Sequence, residues 1–138
     1  MELVVDTNIA IAALLREGAT RSLIFRPDLL LLSPQRLPEE IEKHKIELLE
    51  KAGRNEEQYN IAVRLILSEI EIVLPAGYKH LMKDALRISP DPDDAIFLAL
   101  ALVRGCPLWS NDKLLKSQKE VVVYNTKELF ERLPLGRM

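Results

Sequence analysis

Four acidic residues stand at positions from which their side chains could act together: Asp6, Glu40, Asp94 and Asp112. Asp6 directly follows the apolar run Leu3-Val4-Val5 and precedes a helical stretch, which places it at the carboxyl end of a first strand. Open α/β sheets bind ligands at that edge. Asp112 repeats the arrangement after Trp109-Ser110-Asn111. The segment Ser89-Pro90-Asp91-Pro92-Asp93-Asp94 opens the most apolar helix of the chain. In it Asp91 fits the N-cap with Pro92 at the first helical position, and Asp93 and Asp94 follow, Asp94 sharing its face with Phe97, Leu98 and Ala101. Glu40 is picked from a charged helix by periodicity: Leu37, Ile41, His44 and Leu48 form an inward stripe that Glu40 flanks, while Glu39 points nearly the opposite way.

Each of these residues also has a purely structural reading. Asp6, Asp91 and Asp112 stand where aspartate caps a helix, with Thr7, Asn8, Ser110 and Asn111 as rival caps. Asp94 suits a reciprocal capping role, Glu40 an ordinary boundary position, and His44 a packed or hydrogen-bonded one rather than metal ligation. If the four acids converge, repulsion decides their chemistry, since two unit charges about 5 Å apart interact by roughly 3 kcal/mol at an effective dielectric of 20. Such a cluster needs a cation. All-oxygen ligation selects Mg²⁺ or Mn²⁺ over Zn²⁺, for which the chain lacks a Cys/His set. A cation held there could activate a water and neutralise a phosphodiester during in-line displacement, which is nuclease chemistry.

The elements that must position these acids are legible as an alternation. Strand-like runs at Leu3 to Val5, Leu29 to Leu32, Ile70 to Leu74, Pro107 to Trp109 and Val121 to Tyr124 are short and apolar without polar alternation, as strands buried on both faces are. Between them lie helical stretches over Asn8 to Glu17, Thr20 to Phe25, Gln35 to Lys51, Glu56 to Glu69, Lys79 to Arg87, Pro92 to Arg104, Asn111 to Leu115 and Thr126 to Leu133. A β-α-β order of this kind predicts an α/β fold: three α/β/α layers around a mostly parallel sheet of about five strands. Gly53, Pro75 with Gly77, and Gly105 with Pro107 punctuate the elements, and no long Gly/Ser/Pro linker or internal repeat divides the chain. One domain over residues 1–138 is the expectation, with 48% apolar residues to build its core and 29% charged residues of both signs to solvate it. The net charge of −2 advertises no polyanionic partner, so any basic contacts must be grouped. Cys106 is the only cysteine, no signal segment opens the chain, and the longest apolar run, Ala95 to Val103, is about half of what a bilayer needs. These features point to the cytoplasm and to no membrane partner.

Taken in order, Val5-Asp6-Thr7-Asn8, Glu39-Glu40-Ile41, Asp91-Pro92-Asp93-Asp94-Ala95 with Leu98-Ala99-Leu100-Ala101, and Ser110-Asn111-Asp112-Lys113-Leu114 resemble the PIN-domain family of metal-dependent ribonucleases. The resemblance covers essentially the whole chain and implies strand order 3-2-1-4-5. It also implies catalytic, metal-holding roles for Asp6, Glu40, Asp94 and Asp112, with Asn8 and Ser110 in support, beside Asp91 and Asp93. Glu39 and Asp93 compete for two of the four roles, and Asn111 replaces the glycine common before the last aspartate. Ala13-Leu14-Leu15 followed by Thr20-Arg21-Ser22-Leu23-Ile24 is similar to a VapC-like subgroup classed as toxins. The implied partners are single-stranded RNA, a second copy in a homodimer, and an antitoxin protein. Among basic residues, Arg16, Arg21, Arg36, Lys83, Arg87 and Lys113 are candidate phosphate contacts, Arg21, Arg36 and Lys113 foremost, and such contacts would grip the backbone without reading bases.

Three rivals share parts of this pattern. A haloacid-dehalogenase-type phosphatase would carry a second aspartate where this chain has Asn8, which cannot protonate a leaving group. A phosphorelay receiver would carry its acceptor aspartate after the middle strand, where this chain has Leu74-Pro75-Ala76. A non-catalytic PIN-like module binding RNA or protein keeps the fold, but would be expected to have lost some of the four acids.

Overall fold

A computed structural model describes residues 1–134, so the last four residues of the expected 1–138 domain lie outside the described residues. Strands β1 (Glu2–Val5), β2 (Leu30–Pro34), β3 (Ile70–Val73), β4 (Leu108–Trp109) and β5 (Val123–Tyr124) form one sheet in the order β3-β2-β1-β4-β5. All four neighbouring pairs are parallel. Helical crossovers make this possible, because a parallel pair cannot be joined by a tight turn. The helices are α1 (Thr7–Leu15), α2 (Ala19–Ile24), α3 (Arg36–Lys43), α4 (Lys45–Ala52), α5 (Glu56–Ser68), α6 (Met82–Ile88), α7 (Ala95–Arg104) and α8 (Thr126–Arg132). The expected α/β class and strand order are both present.

Alternation along the strands divides the core between the two faces. Leu3, Val5, Leu31 and Trp109 pack with Ile9 and Leu14 of α1, Leu23 of α2, Ile66 of α5 and Leu129 of α8. Val4, Leu32, Leu108 and Val123 pack on the other side with Ala85 of α6 and Leu98 and Leu100 of α7. Leu3, Val4 and Val5 are wholly buried, which accounts for a run without polar alternation. Burying each such aliphatic side chain contributes about 2 kcal/mol. Among the described residues no helix is long and apolar enough to cross a membrane.

Several boundaries differ from the sequence reading, and each difference has a local cause. β2 runs two residues beyond Leu32, with Ser33 opposite Ile72 and Pro34 opposite Val73. The buried Ser33 hydroxyl donates to the Val5 carbonyl at 2.8 Å, so a polar residue sits in the sheet at no cost in unpaired groups. Pro34, without an N–H, ends the ladder, and α3 starts at the same edge as Asp6. The stretch from Gln35 to Lys51 is two helices, because His44 leaves helical geometry at φ −100° and ψ 18° while its Nδ1 meets Glu47 Oε1 at 3.1 Å. His44 is therefore a half-exposed joint and not part of the inward stripe, whereas Leu37, Ile41 and Leu48 are buried as expected. Pro92–Asp94 and Lys113–Ser117 are 3-10 turns. Gly105 closes α7 at φ +62°, a left-handed conformation open to glycine, and delivers the chain into β4.

Candidate active site

Strands β1 and β4 end side by side. The Asp6 amide donates to the Trp109 carbonyl at 3.1 Å and the Ser110 amide to the Tyr124 carbonyl at 3.0 Å, so the ladder runs one residue beyond each strand. Asp6 is only 5% exposed and Ser110 is fully buried. The Ser110 hydroxyl donates to Asp6 Oδ2 at 2.7 Å and accepts the Asp112 amide at 3.1 Å. A single buried hydroxyl thus ties the acids of two adjacent strands to one point. Asp112 itself is exposed.

Helices α3 and α7 supply the opposite wall of a cleft of about 400 Å³, lined on the α3 side by Arg36, Glu39, Glu40 and Lys43. Asp93, Asp94 and Phe97 line it from the start of α7, and Asp6, Thr7 and Asn8 from the start of α1. The Thr7 hydroxyl donates to Glu40 Oε1 at 3.1 Å. The Arg36 guanidinium donates to the Asp93 carbonyl, tying α3 to the loop that carries Asp94.

Capping separates the acids into two kinds. Asp91 Oδ1 accepts the Asp93 amide at 3.0 Å and Asp112 Oδ1 the Leu114 amide at 3.0 Å, so both carry out the structural role open to them. Asp6 stands at the start of α1 with its carboxylate held by Ser110, and Asp94 is the last residue of the turn that Asp91 caps, with helical φ −91° and ψ −7°, so its side chain is not engaged as a cap. Burial pushes the Asp6 carboxyl up; the Ser110 hydroxyl and the Asn8 amide draw it back, and the charges of Asp112 and Glu40 raise it further. Asp94 is pushed up to about 6, first by burial and then by Asp6, Asp91, Asp112 and Asp93. Asp6, Glu40, Asp94 and Asp112 therefore share one electrostatic neighbourhood, although Asp112 does not line the cleft.

Among the described residues no three Asp, Glu, His or Cys side chains stand close enough to hold a metal ion as placed. The donor chemistry nevertheless fits a hard divalent cation. All candidate ligands are carboxylates, and Asp6 and Asp94, raised first by burial and further by neighbouring acids, are groups whose ionised form a cation would stabilise.

The other expected site residues divide. Asn8 and Asp93 line the cleft, Asp91 stands behind it as a cap, and Lys113 is exposed beside Asp112. Glu39 lines the cleft together with Glu40, which corrects the expectation that it points away: α3 borders an open cleft, so positions flanking its buried stripe reach it from either side. Arg21 is a second correction. It does not line the cleft, and its guanidinium donates to the Ala13 and Leu14 carbonyls at 2.8 and 3.3 Å, closing the end of α1. Sequence reasoning missed Thr7 and Lys43. Lys43 lies seven residues after Arg36, two helical turns along one face, and that spacing was the available signal. A larger groove of about 750 Å³ between α1 and α8, lined by Ala12, Arg16 and Phe130 among others, holds none of the four acids.

Fold and cleft together define an α/β/α protein with a 3-2-1-4-5 parallel sheet and an acid-lined cleft at its carboxyl edge. A family profile described as PIN domain matches residues 4–128, and the chain belongs to the PIN-domain family. Its fold is similar to a chain in the crystal structure of VapBC2 from Rickettsia felis bound to a DNA fragment from their promoter, with a TM-score of 0.66 and 16% identity. That similarity covers 91% of this chain and 98% of the other. Comparison with curated proteins gives no match.

Proposed function

We propose that the chain is a single PIN-like domain acting as a divalent-metal-dependent endoribonuclease that hydrolyses phosphodiester bonds of single-stranded RNA, with Asp6, Glu40, Asp94 and Asp112 holding Mg²⁺ or Mn²⁺. The observation that carries this reading is the pair Asp6 and Asp94: both line one cleft, and both carboxyls are raised first by burial and then by neighbouring acids. The bound cation would supply water activation and neutralisation of phosphate charge. The chain's own residues set the stage for this. Ser110 fixes the rotamer of Asp6 and the backbone of Asp112. Arg36 holds the Asp93 carbonyl, and with Lys43 brings positive charge to an otherwise acidic cleft where a phosphate backbone can rest. Asn8 and Asp93 border the path, and Lys113 offers an outer phosphate contact.

The test is cleavage of a labelled single-stranded RNA with Mn²⁺, with Mg²⁺ and in excess EDTA. Metal-dependent cutting that Asp94→Asn abolishes supports the reading; cutting that persists in EDTA overturns it. The alternative, a non-catalytic RNA- or protein-binding module, draws support from the capping bond of Asp112 and from the separation of the donor groups. It predicts RNA binding without cleavage under all three conditions.

The VapBC2 likeness supports a VapC-like reading, the toxin of a toxin–antitoxin pair, whose partners would be an antitoxin protein and a second copy of the chain. Exposed Phe25, just beyond α2, and Phe130, on α8, offer apolar surface for such contacts. Light scattering at micromolar concentration tests self-association, and a mass corresponding to 15.7 kDa would refute it. The lone Cys106 is in keeping with a cytoplasmic setting.

A further inference from the structure

We infer that Thr7 is a positioning residue that sets the Glu40 carboxylate into the cleft and so strengthens its hold on a divalent cation, an assignment that rests on the nuclease reading above. Thr7 is the first residue of α1, and at 4% exposure it is buried. Its hydroxyl donates to Glu40 Oε1 at 3.1 Å, joining two elements whose contacting residues lie 33 positions apart in sequence. The donor is stiff, because a β-branched side chain has few χ1 rotamers and the start of α1 is anchored to β4 through the Asp6 amide. The acceptor is not. Glutamate has three side-chain torsions, and α3 ends only three residues later at Lys43, so its direction in the cleft depends on a partner outside its own helix.

Glu39 supplies the contrast. It lines the same cleft and is exposed, and among the described residues its carboxylate accepts no side-chain hydrogen bond. The Thr7 hydroxyl therefore distinguishes Glu40 from the adjacent Glu39, which lines the same cleft. It engages one carboxylate oxygen and leaves the second available for a cation. A hydrogen bond from outside the coordination shell that orients a ligand typically changes metal affinity by about 10- to 100-fold when removed.

Isothermal titration of the protein with Mn²⁺ tests the assignment without reference to cleavage. Thr7→Val, near-isosteric but lacking the donor, is expected to weaken Mn²⁺ binding by about tenfold, and Thr7→Ser to restore most of it. Glu39→Gln should leave binding near wild type, and Glu40→Gln should weaken it. In the Glu40→Gln background the Thr7→Val change should have little further effect, since residues acting through one contact are non-additive. Thermal melts establish that the variants fold, and Thr7→Ala replaces Thr7→Val if the latter does not. Wild-type binding in the hydroxyl-free variant, or an equal loss whether or not Glu40 is present, overturns the role of Thr7 and leaves the nuclease reading standing. A wild-type protein that takes up no Mn²⁺ overturns both.

Discussion

The outer half of the sheet's carboxyl edge, from Asn111 to Glu128, and the inner half, between α1, α3 and α7, treat their polar side chains differently. In the outer half they serve the backbone. Asp112 caps the Leu114 amide, Asn111 Oδ1 accepts the Thr126 amide at 2.8 Å, and Asn125 and Glu128 form a reciprocal capping box with bonds of 2.7 and 3.0 Å. Glu128 is held below the usual carboxylate range by the Asn125 amide and by Lys116. In the inner half Asp6 and Asp94 face one cleft, and their carboxyls are raised by burial and by neighbouring acids. Placing buried Asp6 and half-buried Asp94 beside one another, where a buried charge is ordinarily paired, is a local rule broken in one place. Such breaks concentrate where a site has another use for the group.

The largest effect should come from removing charge in the inner half. Asp6→Asn and Asp94→Asn keep shape and lose the anion, and RNA cleavage in Mn²⁺ is expected to fall by several orders of magnitude, while far-UV circular dichroism stays unchanged. Asp112 belongs to the outer half by its hydrogen bond and to the inner by its charge. Asp112→Asn preserves the cap, so a fall in cleavage of about 10- to 100-fold would assign it to the cation. Wild-type cleavage would return it to the outer half and reduce the proposed ligand set to three.

The pH dependence of stability sharpens the same contrast. Asp94 binds its proton more tightly in the folded chain than in the unfolded one, so its burial is a penalty above about 6 that disappears below its ordinary value of 3.8. In the metal-free protein Asp94→Asn should therefore melt higher than wild type near neutral pH. The difference should shrink as the pH falls through 6 and vanish in mild acid. A wild-type protein that is the more stable of the two near neutral pH would contradict the burial argument. The smallest effect belongs to the caps. Asp91→Ala should lower stability by about 1 kcal/mol in urea unfolding, whereas Asp91→Asn, which caps nearly as well, should be neutral and retain most of the cleavage. A large loss of cleavage in Asp91→Asn would move that residue into the cleft.

The strands, the helices and the junctions holding Asp6, Asp94 and Asp112 were legible because they depend on local pattern. Unbroken apolar runs mark strands covered on both faces, and a proline after an aspartate marks a helix start. The resemblance carried by those junctions supplied the strand order. Tertiary structure alone decided which acids meet. Asp91 caps the turn as its place before Pro92 predicts, but Asp94 comes to line one cleft with Asp6 only because α7 packs against β1. The break at His44, the closure of α1 by Arg21, the entry of Glu39 into the cleft and the bond from Thr7 to Glu40 are equally invisible in one dimension. Periodicity fixes which face of a helix is buried, but a hydrogen bond between side chains distant in sequence exists only once packed helices have brought donor and acceptor within about 3 Å.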